Sequence, residues 1–264
     1  MKFMNIASGS SGNSTFIGSD KASILLDCGI SMKRIENALD SHDMALKQID
    51  GIVITHEHSD HIKGLGVISR KYSIPIYATK GTIAGIHCAA NIGDIDNSLF
   101  IEIENDADFY ISDINVKAHS VSHDANDPVC FSFTQDNVKV SVATDLGTYD
   151  EDLIEFLSDS DTLLIEANHD IRMLETGPYP YYLKRRIAGD RGHLSNEASG
   201  KLLRRLLCER LRHIYLGHLS DKNNYWLLCY ETVKSELMED EAGKAAVELL
   251  KVAKRDECDD MIVF

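Results

Sequence analysis

Paired cysteines are the first feature that this sequence lacks. Its cysteines are scattered and form no Cys-x-x-Cys pair, lying at positions 28, 88, 130, 208, 229 and 258. This distribution is typical of reduced thiols and argues against a zinc knuckle built from thiolates. The sequence also has no apolar run long enough for a signal peptide or a membrane span. We therefore expect a cytoplasmic protein with no membrane-embedded part.

Proline is scarce as well, with 4 residues in a chain of 264, and we find no repeat, low-complexity segment or linker. Hydrophobic residues make up 44% of the chain, which is enough for an ordinary globular core. The length fits one large α/β domain. We therefore predict a single domain over residues 1–264.

Positive charge is in short supply, since the formal net charge is −15. Such a balance is unfavourable for a protein that coats polyanions, although the distribution of charge matters more than its sum. Residues 181–213 carry nine Lys and Arg against three acids, a net +6 that leaves −21 for the remainder. This segment is either a solvated helix face or a surface that binds nucleic acid.

Short strands and helices alternate along the chain. Apolar patterns and turn residues predict strands over 2–7, 14–17, 23–27, 51–54, 74–78, 99–103, 114–118, 129–134, 138–144, 162–166 and 212–216. Helices are predicted over 31–39, from 62 to 72, over 79–87, from 150, and over 168–175, 181–188, 195–208 and 224–238. An amphipathic stretch over 241–254 precedes a candidate edge strand at 261–264.

Metal-binding side chains are concentrated in one short run, His56-Glu57-His58-Ser59-Asp60-His61. The run follows the predicted strand 51–54 and enters a helix. Spacing by two directs His56 and His58 to the same side, while Asp60 and His61 turn with the helix. Two imidazoles suit one zinc-like ion, and a carboxylate with an imidazole suits a second. The run therefore predicts two adjacent metal sites that take further ligands from elsewhere in the chain.

Three more polar residues lie next to predicted strands, where a sheet presents functional groups. Asp145 follows strand 138–144, His218 follows strand 212–216, and His123 precedes strand 129–134. Each alone is commonly a turn residue or a cap. Together with the donor-rich run they become candidate metal ligands.

This order of residues resembles the metallo-β-lactamase superfamily over essentially the whole chain: a strand-ending Asp, the H-x-H-x-D-H run, a His, an Asp and a last His. The resemblance implies a four-layer αββα sandwich with two mixed β-sheets. It also implies that one metal is held by His56, His58 and His123, the other by Asp60, His61 and His218, and that Asp145 bridges them. Asp27 would orient a ligand His from behind.

Five further blocks resemble the bacterial YycJ/WalJ/VicX subgroup: residues 8–14, 123–129, 166–170, 192–196 and 216–220. Residues 225–229 depart from the pattern of that subgroup. The resemblance implies a two-metal-dependent phosphodiesterase, a DNA exonuclease acting 5′ to 3′, in which a hydroxide bridging the metals attacks phosphorus. The enzyme class that follows is a metal-dependent hydrolase acting on ester bonds.

Proton transfer needs groups beyond the metal ligands. Asp60 is a candidate proton acceptor, and His193, in a Gly-His-Leu-Ser turn before the helix 195–208, is a candidate proton donor to the leaving oxygen. Glu166 and His169 resemble a pair that positions such a histidine. The alternatives are ordinary ones: His193 as a helix-entry residue packed on its turn, and Glu166 and His169 as strand-end and cap residues.

Substrate contacts are predicted at two places. The loop before residue 15 offers polar groups to a phosphate without the Lys of a nucleotide P-loop, and the basic segment offers cations. The residues concerned are Ser10, Ser11, Asn13, Lys184, Arg185, Arg186 and Arg191.

Two other function classes stay open. One is a small-molecule metallohydrolase on the same fold, such as a cyclic phosphodiesterase, thioesterase or lactonase, which the acidic net charge favours. The other is a metal-binding scaffold without catalysis. The mixed His and carboxylate ligands accept two divalent ions of zinc, manganese or iron. The sequence leaves DNA against RNA and the oligomeric state undecided.

Overall fold

The computed structural model describes residues 1–264, and the chain divides into two compact units. Unit 1 comprises residues 1–120, 125–138 and 254–264, and unit 2 comprises residues 121–124 and 139–253. The single domain over residues 1–264 stays a prediction. No helix combines the length and the apolar character that crossing a membrane requires.

Unit 1 contains a mixed seven-stranded sheet in the order β14-β1-β2-β3-β4-β5-β6. Its strands are β1 (Lys2–Ala7), β2 (Ser14–Gly18), β3 (Ser23–Leu26), β4 (Gly51–Val53), β5 (Ile76–Thr79), β6 (Phe100–Ile103) and β14 (Ile262–Val263). The strands β14, β1, β2 and β3 pair antiparallel, and β3 to β6 pair parallel. The predicted C-terminal edge strand is confirmed as β14.

Helices cover this sheet and bury its core. They are α1 (Met32–Asp40), α2 (Ser59–Ile62), α3 (Leu65–Tyr72) and α4 (Lys80–Cys88). The Ser31 side chain accepts from the Arg34 backbone N–H and so caps α1, while Ile35 and Leu39 on one face are fully buried. Buried residues of β2 to β5 complete the same core, among them Phe16, Leu25, Ile52 and Ile76.

Unit 1 also contains an antiparallel meander of β7 (Asp108–Ile111), β8 (Ile114–Ser120) and β9 (Val129–Gln135). The sequence predicts β8 and β9 but not β7. In β7 only the last residue is buried. Phe109 and Ile111 alternate with the exposed Asp108 and Tyr110, but four residues are too few for this alternation to be recognised in the sequence.

Unit 2 is built on parallel strands in the order β10-β11-β12-β13. They are β10 (Val138–Ala143), β11 (Thr162–Glu166), β12 (His213–Gly217) and β13 (Leu250–Val252). The helices are α5 (Glu151–Leu157), α6 (Ile171–Thr176), α7 (Tyr181–Ile187), α8 (Asn196–Leu206), α9 (Trp226–Leu237) and α10 (Glu241–Ala246). The amphipathic stretch 241–254 is thus a short helix followed by a strand.

Parallel pairing determines where the polar residues of unit 2 meet. Carboxyl ends of parallel strands lie at one edge of a sheet, which is where α/β proteins place their sites. Glu166 ends β11, Asp145 follows β10 after one residue, and His218 directly follows β12. The register pairs Glu166 with Gly217, so these residues lie side by side.

Candidate metal centre

The donor-rich run of unit 1 occupies the loop after β4 and the short helix α2, as the sequence predicts. The His56 ring lies 4.6 Å from the His58 ring and 4.1 Å from the His61 ring, measured between centroids. The Nε2 atom of His61 is 3.5 Å from an oxygen of Asp60. Unit 1 therefore brings together all four of its candidate ligands.

Asp27 orients this cluster from the end of β3. Its carboxylate accepts from the Nδ1 atom of His61 at 2.8 Å, from the Thr55 backbone N–H at 2.9 Å and from the Thr55 hydroxyl. Because the proton of His61 is then on Nδ1, the lone pair is on Nε2, the form in which an imidazole binds a metal. The contact is the one expected of a carboxylate behind a ligand histidine.

Asn13 and Cys28 hold the donor-rich loop by backbone hydrogen bonds, and Gly29 approaches it closely. The Asn13 N–H donates to the Asp60 carbonyl at 2.8 Å, and the Cys28 N–H donates to the His61 carbonyl at 2.8 Å. The Asn13 amide nitrogen also lies 3.1 Å from the Nε2 atom of His61. A Cβ on Gly29 would stand 1.6 Å from the Asp60 carbonyl oxygen, so only glycine allows this approach.

The three residues predicted for phosphate contact in this loop differ in position. Asn13 is buried and turned inward, and its side-chain oxygen accepts from the Gly9 N–H at 2.9 Å. Ser10 and Ser11 are exposed at the tip of the loop. The substrate contacts of all three stay predictions.

Asp145 is the centre of the unit 2 cluster. Its Oδ1 atom lies 3.7 Å from the Nε2 atom of His123, 3.5 Å from the Nε2 atom of His218 and 3.7 Å from the Nδ1 atom of His193. Asp145, His123 and His218 are all almost completely buried. The structure thus brings together the ligand candidates of this unit and the candidate proton donor.

Glu166 uses both of its oxygens to organise these imidazoles. Oε1 accepts from the Nδ1 atoms of His193 at 2.7 Å and His218 at 2.9 Å. Oε2 accepts from the backbone N–H groups of Leu146 at 2.7 Å and Leu194 at 3.1 Å. With both oxygens occupied in this way, Glu166 acts on the two histidines as an orienting carboxylate.

Charge and burial shift the pKa values of this group in opposite directions. Burial raises the pKa of Glu166, but the imidazoles of His193 and His218 outweigh burial and lower it to about 2. Burial lowers the pKa of His193, and the Glu166 carboxylate outweighs it, so the net shift is upward. Burial lowers the pKa of His123, which favours the neutral form that binds metals.

His169 is buried beside this group, and its Nδ1 atom makes no hydrogen bond. Burial lowers its pKa to about 4, and its backbone carbonyl accepts from the Asn196 N–H at 2.9 Å. The neighbouring Asn168 contacts a candidate ligand instead, since its amide donates to the His218 carbonyl at 2.9 Å. The role of His169 in positioning stays a prediction.

Five arginines of the basic segment separate into two sets. One set is engaged in ion pairs with acids of unit 2, since Arg204 contacts Glu239 and Asp240, Arg205 contacts Glu151, and Arg210 contacts Asp161. The other set lies beside the candidate ligands. Arg186 pairs with Asp124, and Arg191 donates to the His123 carbonyl at 2.9 Å.

Three residues of the two clusters adopt left-handed backbone conformations. Asp27, Asp145 and His218, each immediately or closely following a strand, have φ values of 59°, 62° and 55°. Such φ values are uncommon outside glycine and are found where the surrounding structure enforces them, often at functional sites.

Sequence reasoning did not single out Thr55, Gly29 and Asn168. Thr55 immediately precedes the donor run, and Asn168 lies in a block that resembles the subgroup, so both had a local signal. Gly29 had no such signal. Position 29 requires glycine because the backbone of Asp60, a residue distant in sequence, approaches it closely.

The donor groups fit divalent metals in both units. The Nδ1 atom of His61 is bound by Asp27, that of His218 by Glu166, and that of His123 by the Gly192 carbonyl at 3.0 Å. A ligand histidine usually has its second nitrogen held in this way, which fixes the tautomer and the ring orientation. Imidazole and carboxylate together suit zinc, manganese or iron.

Comparison with known proteins gives three findings. A family model described as "Beta-lactamase superfamily domain" matches residues 22–218. "Exodeoxyribonuclease WalJ" of Streptococcus pneumoniae serotype 2 is 38% identical over 242 residues, which cover 92% of this chain and 90% of that protein. "Exodeoxyribonuclease YycJ" of Bacillus anthracis is 37% identical over 240 residues, 90% of each chain.

Among solved structures, the metallo-β-lactamase fold protein YhfI from Bacillus subtilis superposes with a TM-score of 0.70 at 16% identity, covering 98% of this chain and 99% of that one. At such low identity the likeness concerns the fold alone. It confirms the predicted fold class, an α/β sandwich with mixed sheets.

Proposed function

The chain belongs to the β-lactamase superfamily, and from that premise we propose that it is a two-metal-dependent phosphodiesterase, a DNA exonuclease acting 5′ to 3′. The support from its relatives is that two proteins 37% and 38% identical over nine-tenths of the chain are named exodeoxyribonucleases. The observation that carries the proposal is the set of imidazoles whose Nδ1 atoms are each held by an acceptor.

We propose that His56, His58 and His123 would hold one divalent ion, that Asp60, His61 and His218 would hold the other, and that Asp145 would be a ligand as well. Zinc, manganese and iron all suit these ligands. Bound divalent ions stabilise charge on phosphoryl oxygens and activate water for attack on phosphorus.

The remaining steps belong to the protein's own side chains. Asp60 takes up a proton from the attacking water, and His193 gives a proton to the leaving oxygen. Glu166 keeps the His193 ring in place, since it accepts from the Nδ1 atom at 2.7 Å and so directs Nε2 outward. Asp27 does the same for His61, and His169 supports the turn before α8.

Phosphate groups of the strand are bound by Lys184, Arg185, Arg186 and Arg191, with Ser10 and Ser11 as further contacts. Such binding weakens with rising salt, because each phosphate contact releases counterions. This behaviour distinguishes a nuclease from a hydrolase of small esters. We also propose that the protein is cytoplasmic and acts without contact with a membrane.

The test is hydrolysis of end-labelled single-stranded and double-stranded DNA with added Mn²⁺ or Zn²⁺. We expect stepwise shortening from the 5′ end that is abolished by a chelator and by the double substitution Asp60→Ala and His61→Ala. The matched control is His87→Ala with Asp94→Ala, an exposed His and Asp of the same unit. It should shorten DNA at the wild-type rate.

Two outcomes would contradict the proposal. Full activity in the Asp60 and His61 variant would refute the ligand assignment. Inert DNA together with metal-dependent turnover of a cyclic phosphodiester, a thioester or a lactone would support the small-molecule alternative.

A further inference from the structure

Glu57 is the one histidine or acidic residue of the donor run that the proposed ligand set leaves out. It lies between His56 and His58, and it belongs to none of the groups of donor atoms that lie within 4.8 Å of one another. Alternation along an extended segment directs its side chain away from the two imidazoles. The role of Glu57 therefore has to be sought in what its carboxylate contacts on that other side.

The Glu57 side chain packs against α4 at a position where that helix has a glycine. A Cβ on Gly85 would stand 2.3 Å from the Cγ atom of Glu57 and 2.7 Å from its Cδ atom. Glycine is unfavourable inside a helix, since it loses more backbone freedom on folding than any other residue. A larger residue at position 85 would displace the carboxylate.

The Glu57 carboxylate binds the backbone of residues 126–129, the segment that leads into β9. Its Oε1 atom accepts from the Asn126 N–H at 2.9 Å, a hydrogen bond between residues 69 positions apart in the sequence. Its Oε2 atom is buried and makes no hydrogen bond. The bond to Asn126 is therefore the interaction that a substitution of Glu57 removes.

Two further contacts hold the segment 126–129 within unit 1. The Val129 N–H donates to the Thr55 carbonyl at 3.1 Å. The hydroxyl of Thr79, which caps α4, donates to the Asp127 carbonyl at 2.9 Å. The segment is thus bound to the donor run and the residue before it at both of its ends, by Glu57 and by Thr55, and to the start of α4 between them.

We propose that Glu57 is a positioning residue for one of the two divalent ions. That ion is the one whose proposed ligands are His56, His58 and His123, so the inference rests on the proposed ligand set. Asn126 follows His123 by three residues. One hydrogen bond therefore fixes the donor run against the chain that follows the third ligand. Ligands that are fixed before an ion arrives lose less freedom when it binds, which strengthens binding.

The test uses Co²⁺ alone as the probe, because Co²⁺ accepts imidazole and carboxylate ligands and its visible absorption changes with the ligands around it. Metal-free protein is titrated with Co²⁺, and we expect two ions per chain. Glu57→Ala should bind one of these ions about tenfold more weakly, the effect of losing a group that orients ligands. The ion with the proposed ligands Asp60, His61 and His218 should bind as in the wild type.

Glu57→Gln separates positioning from the charge of the carboxylate. Glutamine keeps an oxygen that accepts from the Asn126 N–H, and its amide nitrogen takes the place of Oε2, an atom that makes no hydrogen bond. Co²⁺ affinity should therefore return to the wild-type value. The matched control is Glu102→Ala, which removes an exposed glutamate of β6 and should bind both ions as the wild type does.

Gly85→Ala tests the same contact from α4. The added methyl group overlaps the Cγ atom of Glu57, so this variant should also weaken the binding of one ion. In the Glu57→Ala background it should have no further effect, because the methyl group then enters the space that the side chain has left. Alanine favours the helix, and melting temperatures measured with EDTA show whether each metal-free variant keeps its fold.

The outcomes separate this inference from the nuclease proposal. Unchanged Co²⁺ affinities in Glu57→Ala and Gly85→Ala overturn the inference, and DNA shortening by the same proteins leaves the nuclease standing. An equal loss in Glu57→Ala and Glu57→Gln also overturns it, as does equal weakening of both ions together with a lower melting temperature in EDTA. Weakening of one ion in Glu57→Ala with rescue by Glu57→Gln, in a protein that shortens no DNA, supports the inference and overturns the nuclease.

Discussion

At the scale of single residues, His193 and His218 both donate to one oxygen of Glu166 but differ in the exposure of their side chains. The His218 side chain is 2% exposed, and the His193 side chain is 15% exposed. A proton donor must reach the substrate, whereas a metal ligand is usually buried. The exposure therefore agrees with a proton-transfer role for His193 and a ligand role for His218.

His193→Ala should lower kcat for DNA about 100-fold, the usual size of a lost general acid, and leave KM nearly unchanged. The measurement is a comparison of DNA with a p-nitrophenyl ester of thymidine 5′-phosphate, whose leaving group needs no proton. Activity on that ester should be retained. An equal loss on both substrates would show that His193 acts on the metal centre instead.

Asp27→Asn should reduce metal affinity roughly 10- to 100-fold, because an amide cannot replace the carboxylate that accepts from His61 and Thr55. Metal content after dialysis against buffered Mn²⁺ or Zn²⁺ measures the effect without reference to activity. Asp20→Asn, an exposed aspartate of the same unit, serves as the control. Metal content equal to that of the wild type would refute the orienting role of Asp27.

At the scale of elements, the position of the short helix α2 depends on neighbouring loops. This helix has four residues, too few to be stable alone, and its backbone is held by Asn13 and Cys28 from other segments. The positions of Asp60 and His61 thus depend on the turn at residues 27–30. Gly29 is the residue of that turn that approaches α2 most closely.

Gly29→Ala should destabilise the protein by about 1–3 kcal/mol, because the added methyl group overlaps the Asp60 carbonyl. Thermal unfolding gives the stability, and metal content shows whether the site moves. Gly189→Ala is the control, since the nearest atom to its Cβ is 3.0 Å away. Equal melting temperatures for the two variants would show that the turn adapts freely.

At the scale of the whole molecule, the path of the chain determines whether the two units fold together. Unit 1 is assembled from three segments and unit 2 from two, so the chain passes between them at residues 120, 124, 138 and 253. Neither unit is a continuous stretch of sequence. Segments that depend on each other in this way are expected to fold together.

We therefore expect a single cooperative unfolding transition for both units in the presence of EDTA. Hydrogen exchange over a urea series measures it, by comparing peptides from β1 to β3 with peptides from β11 and β12. Identical midpoints support one domain over residues 1–264. Two separate midpoints would establish two domains.

The sequence by itself determined the local features of this protein. Apolar runs predicted most strands and helices to within three residues of their observed ends. The donor run after β4 could be recognised because its candidate ligands are close together in sequence. Short-range patterns of this kind reflect the geometry of a single strand or helix. The amphipathic stretch 241–254, which forms α10 and β13, and the unpredicted β7 consist of short elements, in which such patterns are too brief to be recognised.

Only the tertiary structure decided which polar groups meet. It divided the basic segment, engaging Arg204, Arg205 and Arg210 with acids and leaving Arg186 beside the His123 loop. It also joined Glu166 to both His193 and His218, which lie 27 and 52 residues away along the chain. Sequence periodicity carries no information on such contacts, because they depend on which strand ends the fold places side by side.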